Sequence, residues 1–80
     1  MARVVIPDHL LAQTGGAREL ELVVENVRDL LTELEARYPG SQAVFGRCAV
    51  AIDGQIYQDA FLEPLDSDSE VFFMQRIEGG

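Results

Sequence analysis

The chain has no lysine and no tryptophan, and it has one cysteine and one histidine. One cysteine excludes an internal disulfide framework and any multi-cysteine zinc site. The single histidine, His9, lacks companions for a triad or a metal set and reads as a loop surface residue. All six cations are arginine, set against 14 acids for a formal net charge of −8. No cation cluster is present to displace counterions from phosphates, so nucleic acid is not an expected partner. No apolar run approaches the roughly 18–20 residues of a membrane span. Met1-Ala2-Arg3 lacks the apolar segment of a secretory signal. No membrane association and a cytoplasmic location are therefore expected.

What is present fits one small domain. A chain of 80 residues buries roughly 60% of the surface its unfolded form exposes, too little for a deep two-substrate active site. A hydrophobic content of 48% is too high for a disordered acidic tail. The acids outweigh the arginines more strongly in residues 41–80 than in 1–40. That excess suits solubility, or docking on a basic protein surface.

Hydrophobic periodicity orders the chain. Arg3–Ile6 reads as a short strand stopped by Pro7. Leu10 and Leu11 follow in a loop, and Thr14-Gly15-Gly16 signals a turn. Leu20, Leu22 and Val24 alternate on one face of a second strand. Asn26 is a good N-cap with Asp29 three residues on, and Val27, Leu30, Leu31 and Leu34 form one apolar stripe. The pattern predicts a helix over about 26–38, ended by Pro39-Gly40. Residues 41–46 read as a loop anchored by Phe45. Residues 47–52 read as a strand with a large face (Cys48, Val50, Ile52) and a small one (Ala49, Ala51). Asp53-Gly54 is a tight-turn pair leading into Gln55–Tyr57. The stretch 58–70 reads as irregular, with Phe61, Leu62 and Leu65 buried and a polar turn at Asp66–Ser69. Val71–Ile77 is the last strand, apolar on both faces, hence inside a sheet. The order β-β-α-β-β-loop-β predicts an α+β chain: a mixed sheet of four to five strands packed on one helix, the layout of a β-grasp (ubiquitin-like) domain. The expected division is a domain at 1–77 and a flexible Gly-Gly tail at 78–80.

The end of the sequence, Arg76-Ile77-Glu78-Gly79-Gly80, calls for its own explanation. A terminal glycine pair arises in roughly 0.5% of chains at ordinary glycine usage, so chance is a weak account. A C-terminal carboxylate can be activated by ATP to an acyl adenylate, which sulfur or an amine attacks. A tail without side chains can enter a closed channel in another enzyme.

The sequence resembles the MoaD/ThiS sulfur-carrier family of ubiquitin-like proteins over nearly its whole length. Ile6-Pro7, Leu10-Leu11 and Thr14-Gly15-Gly16 look like the start of family members, and Val27–Gly40 looks like the family helix. Val50-Ala51-Ile52-Asp53-Gly54 is similar to the family hairpin "V-x-V-N-G", and Leu65–Val71 is similar to "L-x-D-G-D-E-V". Two departures are visible. The Asp-Gly-Asp turn is Asp-Ser-Asp-Ser here, and the "P-P-V-A-G-G" ending is Gln75–Gly80. The resemblance implies a carrier that does not catalyse and binds no cofactor. An E1-like adenylating enzyme would use ATP to activate Gly80. A sulfurtransferase would convert it to a thiocarboxylate. An acceptor synthase, such as a molybdopterin synthase large subunit, a cysteine synthase or a thiazole synthase, would take the sulfur. Molybdopterin is the first expectation among these acceptors. Gly79 and Glu78 would thread the tail, and Met74, Arg76, Ile77 and Phe61 are candidates for docking partners. A second reading is a protein modifier joined through Gly80 to lysines of targets. The absence of lysine then forbids lysine-linked chains of the protein on itself. A third is the small subunit of a synthase.

Other residues carry less. Cys48, alternating with Val50 and Ile52, reads as buried filler. Asp66, Asp68 and Glu70 lack the full ligand pattern of a calcium loop, and no metal site is expected. Gly15-Gly16 lacks the rest of a phosphate-binding fingerprint. Phe72, Phe73 and Met74 read as core, part of which is a candidate docking patch.

Overall fold

The computed structural model describes residues 1–76. Its strands are β1 (Ala2–Val5), β2 (Glu19–Leu22), β3 (Ala49–Ile52), β4 (Gln55–Tyr57) and β5 (Glu70–Met74). Its helices are α1 (Val27–Arg37) and the short α2 (Gln42–Phe45), and a 3-10 helix spans Asp8–Thr14. The five strands form one sheet in the order β2-β1-β5-β3-β4. β1 and β5 run parallel, and the other pairs are antiparallel. This is the β-grasp architecture that the pattern predicts, with five strands.

Alternation decides which sheet face meets α1. Val4, Val71 and Ile52 are in register across β1, β5 and β3, as are Phe73 and Val50. All five are buried, with Val27, Leu30, Leu31 and Leu34 of α1 in the same core. Phe45 and Phe73 stack at a centroid distance of 4.7 Å, a separation at which aromatic pairs attract beyond their buried area.

Helix α1 starts where the caps place it. Its first-turn N–H groups have no partners within the helix. The Asp29 N–H donates to Asn26 Oδ1 at 2.7 Å, the Arg28 N–H to the Phe61 carbonyl at 2.9 Å and the Val27 N–H to the Glu63 carbonyl at 3.0 Å. The 61–63 backbone is thereby fastened to the start of α1. At the β3–β4 turn, Asp53 (φ 49°) and Gly54 (φ 86°) both hold positive φ, the conformation a two-residue hairpin demands.

Five sequence expectations change. The 8–14 loop is the 3-10 helix, which buries Leu10. The 41–46 loop contains α2, entered through buried Ser41, whose Oγ donates to the Leu34 carbonyl at 3.2 Å. Phe61 and Leu62 are not core: they are 48% and 76% exposed, because their segment meets α1 through backbone carbonyls rather than side chains. Cys48 precedes β3 and is only half-buried. β5 does lie inside the sheet, yet one of its faces is open, and Phe72 is 37% exposed there.

Candidate functional site

The site is built where β5 leaves the sheet. β5 sits between β1 and β3, so hydrogen bonds on both sides fix its direction. Beyond Met74, its last residue, the chain passes through Gln75 to Arg76. There Arg76 Nη2 approaches Asp59 Oδ1 at 3.3 Å. Two recesses meet at this root. A cleft of about 90 Å³ has Val27, Leu31, Phe45 and Val50 among its lining residues, with Asp59, Phe61 and Arg76. A shallower recess is lined by His9, Val44, Arg47, Cys48, Gln75 and Arg76. Arg47 is held by the preceding helix α2, its Nε donating to the Ala43 carbonyl at 2.9 Å. Burial pushes the Cys48 thiol above its ordinary pKa, against a smaller opposing effect of Arg47. The Cys48 Sγ–H donates to the Val44 carbonyl at 3.5 Å. A thiol kept protonated in this way is a poor nucleophile.

The open face of the sheet extends from the root. Ile56, Ala51, Phe72 and Val5 are in register across β4, β3, β5 and β1, with Met74 opposite Ala49 in the next row. Ala49 and Ala51 are buried because these larger neighbours cover them. The row ends on β2 in Glu19, opposite Val5. At the far end Arg3 bridges Glu19 and Glu70, at 2.6 Å and 3.2 Å. The Arg3 hydrogen bond and charge hold the Glu19 carboxyl below its ordinary pKa. The face is thus an apolar band with acidic groups at its far end and arginine at the tail root.

The sequence-predicted residues fall around this root. Met74 is half-buried on the open face, Arg76 is paired with Asp59, and Phe61 is an exposed wall of the cleft. Ile77, Glu78, Gly79 and Gly80 lie outside the described residues. Sequence reasoning missed Ile56 and Asp59. Ile56 carried a signal in the alternation of Gln55-Ile56-Tyr57. Asp59 carried none, because its pairing depends on how the 58–61 segment folds back. Among the described residues no cluster of three or more His, Cys, Asp or Glu is placed to hold a metal ion, and no helix is long and apolar enough to cross a membrane.

Known structures share the fold. A chain of the Amycolatopsis orientalis BexX/CysO complex is 18% identical, with a TM-score of 0.84 and 100% of both chains covered. Mycobacterium tuberculosis CysO, described as an antigen, is 15% identical with a TM-score of 0.82, covering 96% of this chain and 100% of its own. The small archaeal modifier protein 1 (SAMP1) of Methanosarcina acetivorans is 22% identical with a TM-score of 0.78, covering 99% and 95%. No curated relative matches the chain in sequence. A model of the ThiS family matches residues 4–80, nearly the whole sequence. With that span and this fold, the chain belongs to the ThiS family, the MoaD/ThiS type of ubiquitin-like sulfur-carrier domains.

Proposed function

We propose that the protein carries sulfur on the carboxyl group of Gly80. The observation that carries this reading is the junction at β5. The central strand of a ThiS-family domain ends at Met74, and the chain continues through Gln75 and Arg76 into the sequence Ile77-Glu78-Gly79-Gly80. The folded body is a handle and performs no catalysis itself. An E1-like enzyme adenylates the Gly80 carboxylate with release of pyrophosphate. A sulfur nucleophile delivered by a sulfurtransferase then displaces AMP and leaves a thiocarboxylate. Gly79 and Glu78 thread the partner's channel. Met74, Arg76, Ile77 and Phe61 dock beside it, together with Phe72 and Ile56 of the open face. The acceptor is a synthase for molybdopterin, cysteine or the thiamin thiazole. Molybdopterin is the first of the three, with cysteine and the thiazole as the other routes. The gene neighbours of this chain separate the three.

Co-expression with its activating enzyme and a sulfur source tests the reading. Intact mass is expected to show one oxygen-to-sulfur exchange at Gly80, lost when Gly80 is deleted. Neither adenylate nor thiocarboxylate under those conditions would sink it. The likeness to a small archaeal modifier protein supports a second reading, conjugation of Gly80 to target lysines. Its signature is an isopeptide remnant ending in Gly-Gly on lysines of other proteins, Ile-Glu-Gly-Gly after tryptic cleavage at Arg76.

A further inference from the structure

Every cation of this chain is arginine, and the structure places two of them, Arg47 and Arg76, at the tail root. Guanidinium stays protonated at any working pH and is no nucleophile, whereas a lysine amine attacks activated acyl groups. Residue 76 is four positions from Gly80 in the sequence, a separation of at most about 14 Å for any conformation of the chain between them. The remaining nucleophiles of that recess are the His9 imidazole and the Cys48 thiol. Acylation of either gives an acyl imidazole or a thioester, from which a thiol recovers the acyl group. Only an amine traps it as an amide. An amine at Met1 is out of range. β1 runs parallel to β5 with Arg3 opposite Glu70, so the start of β1 lies about 20 Å or more from Arg76 at ~3.3 Å per strand residue. Four tail residues reach at most about 14 Å.

We propose that this chain is built to be inert toward its own activated C-terminal acyl group, so that the acceptor arrives from another molecule. The inference rests on the carrier reading and adds to it a reason for the lysine-free surface. The reaction avoided is acyl transfer from Gly80 to a side-chain amine. The C–N bond forms as the bond to AMP or to a thiol breaks, the amine proton goes to solvent, and the carrier is lost as an internal amide.

The test needs no activating enzyme. A Gly80 thioester of 2-mercaptoethanesulfonate, prepared by intein cleavage, is held in mildly alkaline buffer and followed by intact mass. Wild type is expected to give the hydrolysed acid alone. Arg76→Lys and Arg47→Lys are expected to lose the thioester about tenfold faster, forming a product one water lighter than the acid, because the amine is held at high effective concentration. Fragmentation places the new amide between residue 76 or 47 and Gly80. Arg3→Lys, at the far end of the sheet, is expected to follow wild type. Circular dichroism confirms that the variants keep the fold. The proposal is overturned if wild type forms the water-lighter product as fast as Arg76→Lys. It is equally overturned if neither tail-root variant forms it, or if Arg3→Lys matches them. Failure of the carrier reading appears elsewhere, as the absence of adenylate and thiocarboxylate in the co-expression experiment.

Discussion

Arg76 and Asp59 meet at 3.3 Å, joining the last described residue after β5 to the segment whose carbonyls cap α1. Asp59 is 88% exposed in this pair and Arg76 47%. Exposed ion pairs contribute roughly 0–1 kcal/mol. Asp59→Ala is therefore expected to leave the urea midpoint nearly unchanged while weakening association with the activating enzyme, measured by calorimetric titration. A loss of stability well beyond about 1 kcal/mol would show that the pair holds the fold rather than the tail root.

Phe72 and Phe73 are neighbours in sequence with opposite duties. Phe73 is 2% exposed and stacked on Phe45, whereas Phe72 is 37% exposed on the open face. Phe73→Ala is expected to cost about 3–5 kcal/mol in denaturant unfolding, the usual cost of an aromatic cavity. Phe72→Asp is expected to fold with native circular dichroism and to lose affinity for the partner enzyme.

Asn26 supplies one of the three acceptors that satisfy the first turn of α1. Asn26→Ala is expected to destabilise by about 1 kcal/mol. Asn26→Asp is expected to keep most of that stability near neutral pH, since a carboxylate accepts the same hydrogen bond and favours the helix dipole. Thermal unfolding of the two variants side by side checks this.

Glu35 accepts the backbone N–H of Gly40 at 2.7 Å and of Gln42 at 2.9 Å, which holds its carboxyl below its ordinary pKa. A folded-state pKa below the unfolded one contributes stability above the unfolded value and loses it as pH falls through the folded value. Wild type is expected to melt above Glu35→Gln at neutral pH. The gap is expected to close in the acid range, beginning near ordinary carboxylate titration. A gap independent of pH would contradict the assignment.

Most of the fold was legible because long-period patterns are robust. The stripe from Val27 to Leu34 and the cap at Asn26 specify α1 without any tertiary information. The alternation of Val71 and Phe73 gives β5 its core face. What escaped the sequence depends on distant partners. α2 is a single turn, held by Glu35, the Ser41 hydroxyl and buried Phe45, and four residues carry too little periodicity to declare themselves. Phe61 and Leu62 look like core by composition, but their loop is recruited through carbonyls, a use of the chain that side-chain identity does not encode. The glycine pair was the opposite case, readable at once as chemistry and outside what the described residues place.

The placement of β5 also has a mechanical side. Its ladders, to β1 in parallel and to β3 antiparallel, hold it on both sides. A pull directed along β5 from its C-terminal end loads those hydrogen bonds in shear, many at once, instead of opening them one after another from an edge. On the proposed carrier reading, tension applied at Gly80 would be met by a strand held on both sides rather than by an edge strand.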